Sequence, residues 1–486
     1  MKAKKEVKMI QIALIDDGVN AHMLLNPEKL IGDFIVDSDS IKVRERTKAE
    51  PILTLHGTTS ARIIELYEKE VLFISINIFG QRELETKCDR LVAALEWCGI
   101  KKVPLIHMSV GTRQLSDYDK VRTVIARMLQ QGQIIVAAGS NKGLYTMPAD
   151  FGGVLGVVAE WRLENNAFVY YNHWRGVQIG ASSRHCFINE NGISENTMIA
   201  NSFAAPTVTA AASSILNTIN RKISVPQLFR MLIPNKKYIA FRPDFIEDAL
   251  FLNMSGNLLQ SKSFFFYSKE ITEEQFVHTD IMDKEGRKCL VFLPAKEEEK
   301  NRQILNYLQE KLHRFYGVLF CGNLESQITE NIENCLIWSE QNCGIYHMKE
   351  TRCKQKPNCP IVLIKTKALE GVALVCELQK HFRDKGYQCI TASTQAYSYL
   401  YGFEYIPFDV KKEKIVPYLE GIYQPDIILI WLYESEELVI ADEKDWYCIV
   451  LGDGNFMEEK NIRKISTDYT KKMFDVLCED IISYFS

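Results

Sequence analysis

Apolar residues in this chain fall into short unbroken runs, separated by stretches with helical spacing. From Ile10 to about Ile239 the runs "IQIALI", "VLFISINI", "VPLIHMSV" and "QIIVAAG" have strand length and are apolar on both faces. Between them, "ARIIELYEKE", "LVAALEWCGI" and "DKVRTVIARMLQQ" repeat apolar positions every three or four residues, as a helix with one buried face does. Such alternation predicts an α/β fold, a mostly parallel sheet flanked by helices. Near "RMLIPNKKYIAFRPDF" the small residues give way to Lys, Arg and Pro, which suggests a domain boundary.

The pattern then restarts twice. A small α/β unit has the strand "KCLVFLPA", the helix "EEEKNRQILNYLQEKLHRF" and the strand "YGVLFCG". After the polar, proline-containing linker "KETRCKQKPNCP", a third unit has strands "IVLIKT", "QCITAST" and "PDIILIWL", with a helix over "ALVCELQKHFRDKG". The expected domains are 1–242, 243–356 and 357–486. No internal repeat or low-complexity tract interrupts them.

A chain of 486 residues agrees with several domains. A net charge of -4 gives no electrostatic reason to expect nucleic acid or a membrane surface as partner. No apolar run nears the roughly 20 residues that span a bilayer. The first residues, "MKAKKEVKMIQIALIDDG", lack the apolar region and cleavage site of a secretory signal. The thirteen cysteines have no framework spacing and read as reduced thiols. Cys343, His347, Cys353 and Cys359 are close in sequence but match no zinc knuckle, so neither a metal nor a cofactor is expected.

Three stretches carry candidate chemistry. "IALIDDGVN" ends a buried strand in carboxylates, at the sheet edge where open α/β folds put their sites, although Asp-Gly is also a common turn. "LHGTTSARII" puts His56 at a helix start, with Gly57 permitting a close backbone neighbour. "MIANSFAAPTVTAAASS" puts Ser202 at the head of a small-residue helix, where N–H groups and the helix dipole favour developing negative charge. There an N-cap serine is the structural alternative, and Pro206 is expected within about the first turn. An acid, a histidine and a serine at element boundaries are what a nucleophile, its base and the base's orienter require.

Residues 10 to about 220 resemble a subtilisin-like serine protease. "ALIDDGV" is similar to that family's Asp motif, "HGTTSARII" to its His-Gly-Thr motif and "ANSFAAP" to its Gly-Thr-Ser-x-Ala-x-Pro motif. The resemblance implies Asp16 as triad acid, His56 as base and Ser202 as nucleophile. "LIHMSVG" is similar to the substrate-binding strand, which implies Ser109, Val110 and Gly111 in the cleft, pairing with an extended peptide. "IIVAAGSNKG" aligns Asn141 with the oxyanion asparagine, with Ala138, Gly139 and Ser140 beside it in the pocket wall. The sequence departs from the family at Ala200, normally glycine, and at Asn201, normally a threonine that helps the oxyanion; Asn201 is expected to donate in its place. The Gly143–Pro148 segment is shorter than the family's loop.

Only fifteen residues precede Asp16, too few for a signal and pro-domain, so a cytoplasmic protein is expected. The third unit resembles the P-loop-like domains of clostridial peptide-maturation proteins. Its chemistry is erased, because Thr366, Val372 and Ala373 stand where glycine, lysine and hydroxyl belong. Those domains accompany proteases that mature natural products such as bacteriocins. The expected activity is therefore limited proteolysis of a precursor peptide, such as leader removal. The alternatives are a broader degradative or regulatory protease and a pseudoprotease that binds peptides. Tyr397, Tyr399 and Tyr401 alternate as either a strand face or a partner surface.

Overall fold

The structure is a computed structural model. It describes residues 9–52, 54–79, 86–164, 166–171, 176–188, 194–219, 222–234, 242–278, 289–311, 314–322, 335–347, 357–438, 445–452 and 461–486. Cys353 and the segment 235–241 lie outside the described residues.

The first sheet is built from β1 (Ile10–Asp16), β2 (Leu30–Val36), β3 (Val43–Glu45), β4 (Val71–Asn77), β5 (Leu105–Met108), β6 (Ile134–Ala138), β7 (Leu155–Ala159), β8 (Phe168–Tyr170) and β9 (Val177–Ala181). Their order is β3-β2-β4-β1-β5-β6-β7-β9-β8. The seven central strands are parallel, and β3 and β8 add antiparallel edges. β5 and β6 are buried along their whole length, which is why they read as continuous apolar runs. Chain connections diverge on either side of β1, so its carboxyl end opens into a crevice between β1 and β5.

Five helices accompany this sheet: α1 (His56–Tyr67), α2 (Cys88–Lys101), α3 (Tyr118–Gln130), α4 (Asn201–Thr218) and α5 (Val225–Leu232). A short hairpin, β10 (Cys186–Ile188) and β11 (Ser194–Asn196), precedes α4. α4 packs against α1, β6 and β7, and its buried face is Ala204, Ala205, Val208 and Ala212. Small side chains let that helix lie close to the sheet.

The second sheet holds β12 (Asp248–Asn253), β13 (Tyr267–Ile271), β14 (Cys289–Leu293), β15 (Gly317–Phe320) and β16 (Leu336–Ser339), all parallel, in the order β13-β12-β14-β15-β16. Its helices are α6 (Glu273–His278) and α7 (Glu298–Lys311). The third sheet holds β17 (Ile361–Thr366), β18 (Cys389–Ser393), β19 (Glu404–Tyr405), β20 (Ile427–Tyr433), β21 (Trp446–Leu451) and β22 (Ile462–Ile465). These strands are also parallel, in the order β19-β18-β20-β17-β21-β22, with α8 (Val372–Asp384), α9 (Ile415–Tyr423) and α10 (Lys471–Phe485).

In the turn after β17, a Cβ on Gly371 would sit 2.3 Å from the Thr366 side chain. The Thr366 hydroxyl accepts from Trp431 Nε1 at 2.8 Å. Gly371 thus leaves room for the Thr366 side chain, whose hydroxyl is held by Trp431. The tyrosine alternation lies on a 3₁₀ turn, Ser398–Tyr401, rather than on a strand. Tyr399 packs tilted against Trp338 at 4.3 Å and donates to Glu340 at 2.8 Å, while Tyr401 meets Phe264 at 5.4 Å. The turn thus docks the third sheet on the second. Every described cysteine is a free thiol. Among the described residues, no three His, Cys, Asp or Glu side chains gather as a metal site, and no helix is long and apolar enough to cross a membrane.

Candidate active site

Asp16 is the last residue of β1 and is almost fully buried. His56 is the first residue of α1, and its Nδ1 lies 2.9 and 3.1 Å from the two Asp16 carboxylate oxygens. A carboxylate only accepts, so Nδ1 carries the proton and Nε2 is left as the base. The close approach needs Gly57, where a Cβ would come within 2.6 Å of the Gly18 carbonyl oxygen and 3.0 Å of Asp16 Cβ. Asp17 fixes the same corner, accepting from the Gly57 N–H at 2.8 Å and from the Thr54 hydroxyl.

Burial alone would push the His56 imidazole down. The hydrogen bond and charge of Asp16, aided by Asp17, outweigh this and hold it above its ordinary value. Asp17 itself is raised, first by burial and then by the neighbouring Asp16 charge.

The His56 ring lies 5.4 Å from the ring of Phe203, so the start of α4 stands beside the imidazole. The N-cap of α4 is Ala200, in extended conformation and without a side-chain cap. Ser202 is the second helical residue, not the cap, so its hydroxyl is not engaged in capping. Among the described residues no acceptor meets the Ser202 backbone N–H. An uncommitted N–H is normal in a first helical turn and is the group an anion site uses.

Asn141 is exposed beyond β6, and its side-chain oxygen accepts from the Asn201 N–H at 2.8 Å. That bond ties the Asn141 side chain to the residue before Ser202. Asn201 does not have the placement its expected role requires. Its side chain is buried, accepting from the Ala159 N–H at 2.8 Å and donating to the Gly139 carbonyl at 3.0 Å. It bridges the ends of β6 and β7 and anchors the head of α4 between them, a positioning role. Gly139 also donates to the Val157 carbonyl at 2.8 Å, while Ala138 is buried. Ser140 opens the exposed turn, its carbonyl accepting from Gly143 at 3.0 Å.

Ser109 donates to the Ser202 carbonyl at 3.1 Å and lies 3.1 Å from Nε2 of the buried His107. Nδ1 of His107 is 2.8 Å from the Thr209 hydroxyl, and burial pushes this imidazole down to about 4. Val110 and Gly111 line a cavity of about 440 Å³ that extends to Lys87 and Asp117. A Cβ on Gly111 would meet the Met147 carbonyl at 2.6 Å, so glycine lets the two walls approach. His107 and His185 were not singled out in the sequence. His185 pairs with the Tyr67 hydroxyl at 2.9 Å and with the Phe203 carbonyl at 2.8 Å. A histidine inside an apolar strand must find buried partners, a signal that marks His107; nothing local marks His185.

No protein-family model matches this chain, and no curated protein matches it in sequence. Among solved structures it is similar to a lanthipeptide protease, at 13% identity over 46% of this chain and 79% of that one, TM-score 0.34. It is also similar to EpiP, the epidermin leader peptide processing serine protease from Staphylococcus aureus, at 15% identity over 46% and 69%, TM-score 0.35. A third is the prenylagaramide maturation protease PagA, at 20% identity over 43% and 74%, TM-score 0.32.

Proposed function

We propose that this chain is a subtilisin-like serine endopeptidase acting on a peptide or precursor-protein substrate. The observation that carries the reading is the Asp16–His56 pair at the carboxyl edge of the sheet, beside the head of α4 that carries Ser202. In this reading Ser202 Oγ attacks the scissile carbonyl carbon and passes its proton to His56 Nε2. Asp16 holds the imidazole tautomer and stabilises the imidazolium. The Ser202 N–H and the Asn141 amide donate to the oxyanion. The carbon–nitrogen bond then breaks, His56 protonates the leaving amine, and water hydrolyses the acyl-enzyme by the reverse proton path. Val110 and Gly111 pair with the substrate backbone.

The finer reading is limited proteolysis inside the cell, such as removal of a leader from a ribosomally made precursor. Its selectivity is supported by Leu115 and Tyr145, whose N–H groups donate to Gln388 and to Ile422 of the third unit, an arrangement suited to selective cleavage. A fluorophosphonate probe tests the reading. Wild type labels and Ser202→Ala does not; absence of labelling on folded wild type would sink it.

A further inference from the structure

The short segment after Asn141 is held from outside the first sheet. The Tyr145 N–H donates to the carbonyl of Ile422 in α9 at 2.9 Å, and the Tyr145 ring lies 4.9 Å from that of Tyr423. The guanidinium of Arg242 sits 5.4 Å over the Tyr145 ring and pairs with Glu404 at 2.8 Å and with Asp244 at 3.0 Å. The Tyr423 hydroxyl donates to one oxygen of Glu404 at 2.5 Å, and the Tyr418 hydroxyl to the other at 3.2 Å. The Arg242–Glu404 pair is largely withdrawn from water, with side-chain exposures of 17% and 11%. Such a pair holds only when further hydrogen bonds satisfy it, and here two tyrosines supply them. It is thus a specific joint, not a screened surface contact.

On its other side the segment meets the cleft. Met147 and Thr112 exchange backbone hydrogen bonds of 2.8 and 2.9 Å, and Thr112 directly follows Gly111. Asn141 stands four residues before Tyr145, separated by one exposed turn. Residues 144–147 are therefore a common support for the candidate oxyanion amide and the candidate substrate strand. A site of this kind must be held to within about 0.5 Å, which an exposed turn does not achieve alone.

We infer that α9, through Tyr423 and the Arg242–Glu404 joint, is a positioning element of the candidate active site, so that the third sheet completes the catalytic machinery instead of being a separable recognition module. This inference rests on the serine-protease reading above. Tyr423 belongs to α9, outside the first sheet and its helices that hold every candidate catalytic residue, which makes it the position to test.

The experiment uses the full chain, a fluorophosphonate probe and a reporter peptide. Tyr423→Ala is expected to lower labelling of Ser202 and kcat about tenfold with little change in KM, less than the roughly 10²–10³ that losing an oxyanion donor outright costs. Tyr423→Phe keeps the ring against Tyr145 but removes one of the two tyrosine hydrogen bonds to Glu404, so it restores only part of the loss. In an Asn141→Ala background the Tyr423→Ala effect falls below about twofold, because residues acting as one unit are not additive. If Tyr423→Ala does not melt cooperatively, Glu404→Gln makes the same comparison. A folded variant that labels like wild type, or whose loss multiplies in full with that of Asn141→Ala, overturns the inference while the protease reading stands. Failure of wild type itself to label overturns both.

Discussion

The hydroxyl of Ser109 donates to the carbonyl oxygen of Ser202 at 3.1 Å, filling a place that Pro206 leaves empty. α4 begins at Asn201, so Pro206 lies in its second turn, deeper than the first-turn position expected from sequence. The missing N–H of Pro206 is the one that would have met Ser202 O in an i→i−4 bond. Removing Ser109 therefore strands a partly buried carbonyl. Ser109→Ala is expected to cost about 1–3 kcal/mol in denaturant unfolding. Pro206→Ala restores a helical N–H, so the double variant is expected to exceed Ser109→Ala in stability by at least about 0.5 kcal/mol, beyond the effect of Pro206→Ala alone. Strict additivity would refute the link between the two residues.

Asn201 gives a second expectation. Its amide is the hydrogen-bond partner of both the Ala159 N–H and the Gly139 carbonyl. Asn201→Ala removes the partner of one buried and one part-buried backbone group, at about 1–3 kcal/mol for the buried one. A fall in the unfolding midpoint that accompanies any loss of activity fits a positioning residue. Reduced turnover with an unchanged midpoint would instead favour direct donation to the oxyanion.

The parts legible in the sequence are those fixed by local patterning. β1, β4, β5 and β6 are buried apolar runs, and α2 and α3 show one apolar stripe each. β2 was missed because Gly32 and Asp33 interrupt it and only its last two residues are fully buried. β8 has only three residues, too few to give a period, and β9 is interrupted by Gly180. At the site, Asp16 and His56 could be singled out as candidates because one ends a locally patterned strand and the other starts a locally patterned helix, and Gly57 because a glycine there permits a close backbone neighbour. The Asn201 bridge, the Ser109 donor and the Tyr145–Tyr423 joint are contacts between residues 42 to about 280 positions apart, and no local signal encodes them.

Gly57 offers a steric test of the Asp16–His56 geometry. A methyl group there would press on the Gly18 carbonyl at 2.6 Å and on Asp16 Cβ at 3.0 Å. Both contacts are with the strand end that carries the acid, so relief requires α1 to move away from β1. Gly57→Ala is expected to destabilise the fold by about 1–3 kcal/mol. It should also lower kcat/KM by a factor nearing 10², the penalty of a displacement of about 1 Å at a reacting group. Stability and activity of wild-type level in this variant would contradict the close packing of α1 on β1.

Titration of His56 sets the last expectation. The imidazole must be neutral at Nε2 to accept the serine proton, and Asp16 and Asp17 hold its folded value above 6.5 against the opposing effect of burial. The acid limb of a kcat/KM profile is therefore expected above pH 6.5. Asp17→Asn removes one favourable charge while its oxygen can still accept from the Gly57 N–H, so the limb should move toward lower pH with the fold intact. Stability follows the same linkage. The charged His56–Asp16 pair contributes fully below the unfolded value of 6.5 and loses its contribution as pH rises through the higher folded value. Activity thus rises over the pH range in which this contribution to stability declines. A limb that stays fixed in Asp17→Asn would mean that Asp17 acts on His56 only through the Gly57 backbone and not through its charge.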